Sequence, residues 1–334
     1  MNAPAQASPG SRGAATDAVE RACAVLGPLA RRNHPLGPLT TYRVGGSAAV
    51  AVVVATLDDV TLVGEAVVAS GLAVLVVGRG SNLLVADAGF HGLAVIVAQP
   101  LPGATGHGIA LDGPGRATNG HRTVTALAGV SLPVLARRTV AGGLTGLEWA
   151  VGVPGSVGGG VRMNAGGHGS DIASSLVSAC VADLRTGVVC DRRQTTLGLR
   201  FRGSDLADHE LVWSADFVLA LGDRACCEAE LTEIVRWRRE HQPGGQNAGS
   251  VFVNPIPGVL SAGQVIDELG LRGLRLGSAE ISPKHANFIQ ADDGGSAADV
   301  RALMALVQER VRQKRGIDLR SEIRLVGFDV AGGG

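Results

Sequence analysis

The sequence predicts an α+β fold divided into more than one domain. Three observations carry that expectation. Short β-branched runs such as Ala48–Val54 and Val74–Val77 are bounded by Gly and Asp, as strands are. They are interspersed with helical stretches such as Asp58–Ser70 and the amphipathic Ala297–Lys314. The chain has 334 residues, long for one core, so two or three domains are expected.

Residues 1–17 are rich in Ala, Pro, Ser and Gly and read as a disordered tail. Ala18–Leu29 carries a weak helical pattern, and a turn-rich segment from His34 to Gly46 follows. Ala48–Val54 is a strand. Asp58–Ser70 is a helix with a carboxylate in its first turn and Gly71 as its C-cap. Val74–Val77, Leu83–Val85 and Leu93–Val97 are strands, so residues 48–97 read β-α-β-β. Residues 100–122 are Gly-rich and polar, a surface hairpin or insertion. Thr123–Ala128 is a strand, and Leu132–Ala141 is a helix with Ser131 at its N-cap. Leu176–Asp183 and Val188–Asp191 form a hairpin, and Leu211–Ala220 is another strand. The charged helix Leu231–His241 ends at Gln242-Pro243-Gly244-Gly245, a candidate boundary. Beyond it come a helix at Ser261–Leu269, a strand at Ala286–Gln290, the Ala297–Lys314 helix and a last strand at Ile323–Phe328. The end, Ala331–Gly334, reads as disordered.

Composition narrows the function. Aromatics are only 3% of the chain, so the core must be aliphatic. Thirty basic and 30 acidic residues cancel, which argues against nucleic acid or a polybasic membrane surface but leaves room for a local basic pocket. Five cysteines with no CxxC pair suggest neither a zinc site nor a disulfide framework, so reduced thiols in a cytoplasmic protein are expected. No apolar run approaches the ~20 residues of a membrane helix, and no signal-peptide core is read at the N-terminus.

Two glycine-dense stretches carry the chemistry. Gly78-Arg79-Gly80-Ser81-Asn82 is an elbow between apolar runs. Such an elbow turns backbone N–H groups toward one point and binds anions, which suits the diphosphate of a nucleotide cofactor. A plain tight turn is the alternative. The loop lacks the Lys of a Walker A motif and the third glycine of a Rossmann fingerprint. Gly146 to Ile172 permits close approach of backbone to a large flat ligand. Within it, Val153–Gly158 nearly matches a serine nucleophile elbow, but Pro154 stands where glycine is needed. Taken alone, Arg202 reads as a solvated arginine, Ser250 as a turn serine and His285 as structural. Glu322 reads as a partner of Arg320 or Arg324.

The order of GRGSNLL, GVPGSVGGGVRMNAGG, GSVFVNP, KHANFI and LRSEIRLVGF, with TYRVGG at Thr41–Gly46, closely resembles one family. That family is UDP-N-acetylenolpyruvoylglucosamine reductase, and the resemblance runs from about Leu36 to Phe328. It implies a vanillyl-alcohol-oxidase-like fold. Two lobes bind FAD, at residues 18–99 and 100–225, and a third α+β domain at 226–330 takes the substrate. It implies FAD and NADPH as cofactors, a UDP-sugar substrate, no nucleic acid or membrane partner, and a monomer or weak oligomer. By resemblance the FAD contacts are Tyr42, Arg43, Gly45, Gly78, Arg79, Gly80, Ser81, Asn82 and Leu83, then Gly152, Pro154, Ser156, Val157, Gly159, Asn164 and Ala165. Arg202 matches the arginine that steadies an enolate, Glu322 the glutamate beside the substrate carboxylate, and Ser250 the proton donor. Asn254, Lys284 and His285 match substrate-side positions. Two family tyrosines are replaced, by Phe201 and His168, and the lone Tyr42 rules out a tyrosine from an inserted loop, so the subgroup lacking that loop is implied. A flavin oxidase of the same fold and a silent nucleotide-binding homologue are the other classes. Against the first, no flavin-linking His or Cys falls in the Gly78–Asn82 loop. Against the second, Arg202, Ser250 and Glu322 are all present.

Overall fold

The computed structural model describes residues 9–98, 108–111 and 120–328. Helix α1, Pro9–Leu26, reaches back into the stretch read as a disordered tail. Its Pro9 sits in the first turn, where a missing N–H costs nothing, and the alanines after it favour helix. Residues 1–8, 99–107, 112–119 and 329–334, which hold the rest of that tail, most of the 100–122 insertion and the C-terminal end, lie outside the described residues.

Strands β1 (Arg31–Pro35) and β2 (Ser47–Val54) are followed by α2 (Leu57–Ser70), β3 (Val74–Val77), β4 (Leu83–Val85) and β5 (Phe90–Val97). The first sheet runs β1-β2-β5-β3, with β5 parallel to both β2 and β3. Thr56 and Asp59 form a capping box at the start of α2, and Gly71 closes it at φ 68°. Val50, Val52 and Val54 pack with Val60, Val63 and Val67 into an aliphatic core. The β4 run does not join this sheet.

The second lobe starts with β6 (Ile109–Leu111), β7 (His121–Leu127), α3 (Leu132–Ala141) and β8 (Leu144–Thr145). Then come α4 (Val157–Met163), β9 (Gly166–Gly167), β10 (Ser170–Asp171), β11 (Leu176–Asp183), β12 (Val189–Arg193), β13 (Glu210–Leu221) and α5 (Arg224–His241). Its sheet is antiparallel, ordered β12-β11-β13-β7-β6. Ser131 holds the N-cap position of α3, but its side chain makes no capping bond; Pro is in the first turn instead. Ile234 of α5 is buried in this lobe's core with Trp149, Val157 and Phe217. Helix α5 therefore packs on the second lobe, and the chain leaves it at Gln242–Gly245.

The C-terminal unit holds α6 (Ala262–Glu268), β14 (Arg275–Leu276), β15 (Ala279–Ile281), β16 (Ile289–Ala291), α7 (Ala297–Arg315) and β17 (Arg324–Val326). A three-stranded sheet, β14-β15-β16, backs onto α7 through Val300, Leu303, Met304 and Val307. The strand read at Ala286–Gln290 starts later, at Ile289, because residues 282–288 fold into a loop closed by Ser282 N–H to the Phe288 carbonyl, 2.8 Å.

The last strand does not join that sheet either. β17 pairs in parallel with β4, Arg324 opposite Leu83 and Val326 opposite Val85. Nearby, Asp87 caps α7 from the first lobe, accepting from Ser296 Oγ at 2.7 Å and from the Ala297 and Ala298 N–H groups at 2.9 Å. The first lobe and the C-terminal unit are thus bound together beside the Gly78–Asn82 loop.

Candidate active site

A cleft opens where the two glycine-dense stretches meet the C-terminal unit. It encloses about 1230 Å³ free of protein atoms, including a mouth open to solvent. Gly78–Leu83 and Gly152–Ser156 line one side, and Arg202, Ser250 and Glu322 line it as well.

The two glycine loops interlock. A Cβ at Gly78 would lie 2.5 Å from Ser156 Oγ, so only glycine admits that serine. Ser81 Oγ donates to the Pro154 carbonyl at 2.9 Å. Ser156 serves as the N-cap of α4, its Oγ accepting from Gly159 N–H. Gly80 has φ 60°, and a Cβ there would meet the Leu39 carbonyl oxygen at 2.1 Å. Among the described residues the amide N–H groups of Gly80, Ser81 and Asn82 have no protein acceptor. Three unspent amides in a concave glycine turn are suited to an anion.

Arg202 sits in a tight turn closed by reciprocal bonds between Arg200 and Gly203, with its own φ at 55°. A non-glycine residue in that region costs about 1 kcal/mol or more, and the surrounding bonds hold it there. Its Nε lies 2.7 Å from Glu322 Oε1, and its Nη1 donates to the Gly166 carbonyl at 2.9 Å. Nη2 has no protein acceptor among the described residues, which leaves one arm of the fork for a ligand. Glu322 therefore pairs with Arg202, not with its strand neighbours Arg320 and Arg324. Burial pushes the Glu322 carboxyl above its usual range, and the Arg202 guanidinium offsets this only in part. The Glu322 carbonyl is held in turn by Asn82 Nδ2 at 3.1 Å, tying the glutamate to the glycine loop.

Ser250 reaches the same cleft from just before the segment Val251–Val253. That segment runs antiparallel to Arg320–Glu322: Glu322 N–H bonds the Val251 carbonyl at 2.8 Å, and Val253 N–H bonds Arg320 at 2.9 Å. Residues read separately in the sequence are brought to one place by backbone pairing.

Not every expected contact lines the cleft. Gly78, Arg79, Gly80, Ser81, Asn82, Leu83, Gly152, Pro154, Ser156, Gly159 and Ala165 do. Tyr42 is fully buried in the C-terminal core, its hydroxyl without a partner among the described residues, and burial pushes the phenol upward. Arg43 and Gly45 hold the turn behind the loop at φ 55° and 108°. Val157 N–H is spent on Val130. Asn164 ties α4 to Asp171, Ala173 and the Arg200 carbonyl, supporting the Arg202 turn. On the substrate side, Asn254 Oδ1 accepts from Ala262 N–H at 3.1 Å, and Lys284 donates to the Arg239 carbonyl. His285 accepts from Asn287 N–H at 3.2 Å, and burial lowers its imidazole.

Sequence reasoning missed Arg162, Arg238, Phe288 and Arg324, which also line the cleft. Arg238 bonds the Gly152 carbonyl, and burial lowers its guanidinium. One signal was available: Arg238 lies four residues after the buried Ile234, on the same helix face. Arg162 and Arg324 share Asp208, at 2.7 and 2.8 Å.

Residues 48–191 match the model of an FAD binding domain, and residues 241–326 match the C-terminal domain of UDP-N-acetylenolpyruvoylglucosamine reductase. The protein of that name from Rubrobacter xylanophilus is 38% identical over 304 residues, 90% of this chain and 97% of its own. The one from Synechococcus sp. CC9605 is 40% identical, covering 88% of this chain and 94% of its own. This chain belongs to the UDP-N-acetylenolpyruvoylglucosamine reductase family. The crystal structure of the Thermus caldophilus reductase superposes with a TM-score of 0.72 at 30% identity, covering 89% of this chain and 99% of that one. Within this reductase family member, the Phe201 ring stands 5.3 Å from the Arg202 guanidinium and is exposed. His168 stacks edge-on against Trp237 at 5.1 Å. Among the described residues no helix is long and apolar enough to cross a membrane.

Proposed function

We propose that this chain is a UDP-N-acetylmuramate dehydrogenase. It reduces UDP-N-acetylenolpyruvoylglucosamine to UDP-N-acetylmuramate for peptidoglycan synthesis, with FAD as cofactor and NADPH as reductant. The observation that carries this reading is the Arg202–Glu322 pair sharing one cleft with Ser250 and an amide-lined glycine loop. The enzyme works in the cytoplasm as a monomer or weak oligomer.

The residues present fit FAD. The free amides of Gly80–Asn82 suit its diphosphate, and the glycines of both loops let backbone approach it closely. Gly78–Leu83 forms the cofactor wall together with Gly152, Pro154, Ser156, Gly159 and Ala165. Tyr42, Arg43, Gly45, Val157 and Asn164 act from behind by fixing the loops. Bound FAD, reduced by NADPH, supplies the hydride.

Hydride arriving at the terminal enolpyruvyl carbon leaves negative charge on the carbon that bears the carboxylate. The free arm of Arg202 would face that charge as a pre-oriented donor. Glu322 orients Arg202, and its raised carboxyl keeps a proton beside the substrate carboxylate more readily than an exposed glutamate would. Ser250 then gives its hydroxyl proton to the carbon, completing addition of one hydride and one proton across the double bond. A serine is a weak acid, so its position matters more than its acidity. Asn254, Lys284 and His285 shape the substrate side, holding α6 and the 282–288 loop.

The test is NADPH oxidation that depends on UDP-N-acetylenolpyruvoylglucosamine. Ser250→Ala should reduce its flavin with NADPH at the wild-type rate but pass hydride to the sugar on the order of 10²–10⁴-fold more slowly. If both half-reactions stay fast, Ser250 is not the proton donor.

A further inference from the structure

We infer that Asn287 is a positioning residue that sets the Ser250 hydroxyl for proton transfer, an inference that rests on the proton-donor reading of Ser250. Asn287 stands in the Lys284–Asn287 stretch, but its neighbours Lys284 and His285 face structural partners. Asn287 itself is 3% exposed, a polar residue placed in a core.

Its partners explain why it is there. Val251 N–H donates to the Asn287 carbonyl at 2.8 Å. Phe252 N–H donates to Asn287 Oδ1 at 3.0 Å, and Asn287 Nδ2 donates to the Phe252 carbonyl at 2.8 Å. The side-chain amide thus satisfies both backbone groups of Phe252, as a neighbouring strand would. Across the segment, Glu322 N–H and the Arg320 carbonyl fill the other edge. Val251–Val253 is a single strand-like segment clamped between Asn287 and the residues that carry Glu322. Ser250 lies immediately before the clamped residues, so its backbone position follows from where they are fixed.

Chemistry restricts what can replace this amide. Asp keeps the acceptor for Phe252 N–H, loses the donor for the Phe252 carbonyl, and brings a charge into a buried place. Ser is too short to bridge both groups. A hydroxyl displaced by about 1 Å from its productive position costs roughly 100-fold in rate. Hydride entry to the cofactor from NADPH needs no proton from Ser250, so it is spared.

The experiment uses the full-length, FAD-loaded chain and follows flavin absorbance in stopped flow. Asn287→Asp and Asn287→Ser are each made in the wild-type and Ser250→Ala backgrounds, with flavin content and thermal unfolding checking the fold. Expected is reduction by NADPH within about twofold of wild type and reoxidation by UDP-N-acetylenolpyruvoylglucosamine slowed about 100-fold. In the Ser250→Ala background the same substitutions should add nothing, because the group they aim is gone. Rapid reoxidation in a flavin-loaded N287D or N287S overturns the inference, as does an equal slowing with Ser250 already removed. Wild-type reoxidation in S250A alone would instead remove the proton-donor reading beneath it.

Discussion

The wall formed by Gly78–Leu83 and Gly152–Ser156 is made of backbone, whereas the wall formed by Arg202, Ser250 and Glu322 is made of side chains. In the first, the residues come from two short stretches, and Ser81 laces one to the other through the Pro154 carbonyl. In the second, three side chains arrive from three separate segments: Arg202 is held by the Gly166 carbonyl, the Glu322 backbone by Asn82, and Ser250 only through the pairing of the residues that follow it. The difference fits the two tasks proposed for them. A cofactor diphosphate needs a concave surface of amides, which a short glycine turn supplies by itself. A charge that develops on one carbon needs donors at a point, which no short stretch of chain can supply.

Four substitutions probe that contrast, in descending order of consequence. Gly80→Ala should break the backbone wall. The new Cβ meets the Leu39 carbonyl at 2.1 Å in a left-handed conformation, so a cost of roughly 4–5 kcal/mol and loss of bound flavin are expected. Flavin content after purification measures it. Arg202→Ala should leave flavin content intact yet slow sugar reduction by about 10²–10³-fold, read in single-turnover kinetics. Loss of flavin from the Arg202 variant would erase the distinction between the walls.

Glu322→Gln tests the electrostatics of the side-chain wall. The folded protein holds the Glu322 proton more tightly than the unfolded chain does. The stability tied to that proton is present below the ordinary glutamate pKa and is lost as pH rises through the raised folded value. Unfolding midpoints of wild type relative to the Gln variant should therefore fall as pH climbs above about 4.5. A flat difference would count against a raised carboxyl.

Asp87→Asn addresses the seam between the walls. Burial raises the Asp87 carboxyl, but bonds from Ser296, Ala297 and Ala298 outweigh it and leave a net lowering. Its stabilisation is full above the ordinary aspartate value and is lost as pH falls through the lower folded one. The substitution should cost about 1 kcal/mol at neutral pH, toward the low end because the group is exposed and screened. The deficit should vanish in acid, and urea titrations at two pH values would show it.

The backbone wall is legible in the sequence because turn chemistry is local. Gly71 as a C-cap and the Gly78–Asn82 elbow follow from glycine between apolar runs, and the structure has both. The side-chain wall is legible only as a pattern of motifs. Nothing near Leu83–Val85 signals that its strand partner is Arg324–Val326. Asn254 and Lys284 sit near the site in sequence and have ligand-like chemistry, yet the fold spends them on Ala262 and Arg239. Asn287 and Asp87 were passed over for the opposite reason. Their work is to bond distant backbone, and no spacing rule announces it.

The pairing of β4 with β17 also sets an order of events. Asn82 and Glu322 meet across 240 residues of chain, and non-local pairing of this kind forms late in folding. Each lobe owns a sheet that can assemble beforehand from nearer contacts. A refolding sample should regain its circular dichroism before its turnover, because the seam that creates the cleft is among the last joined.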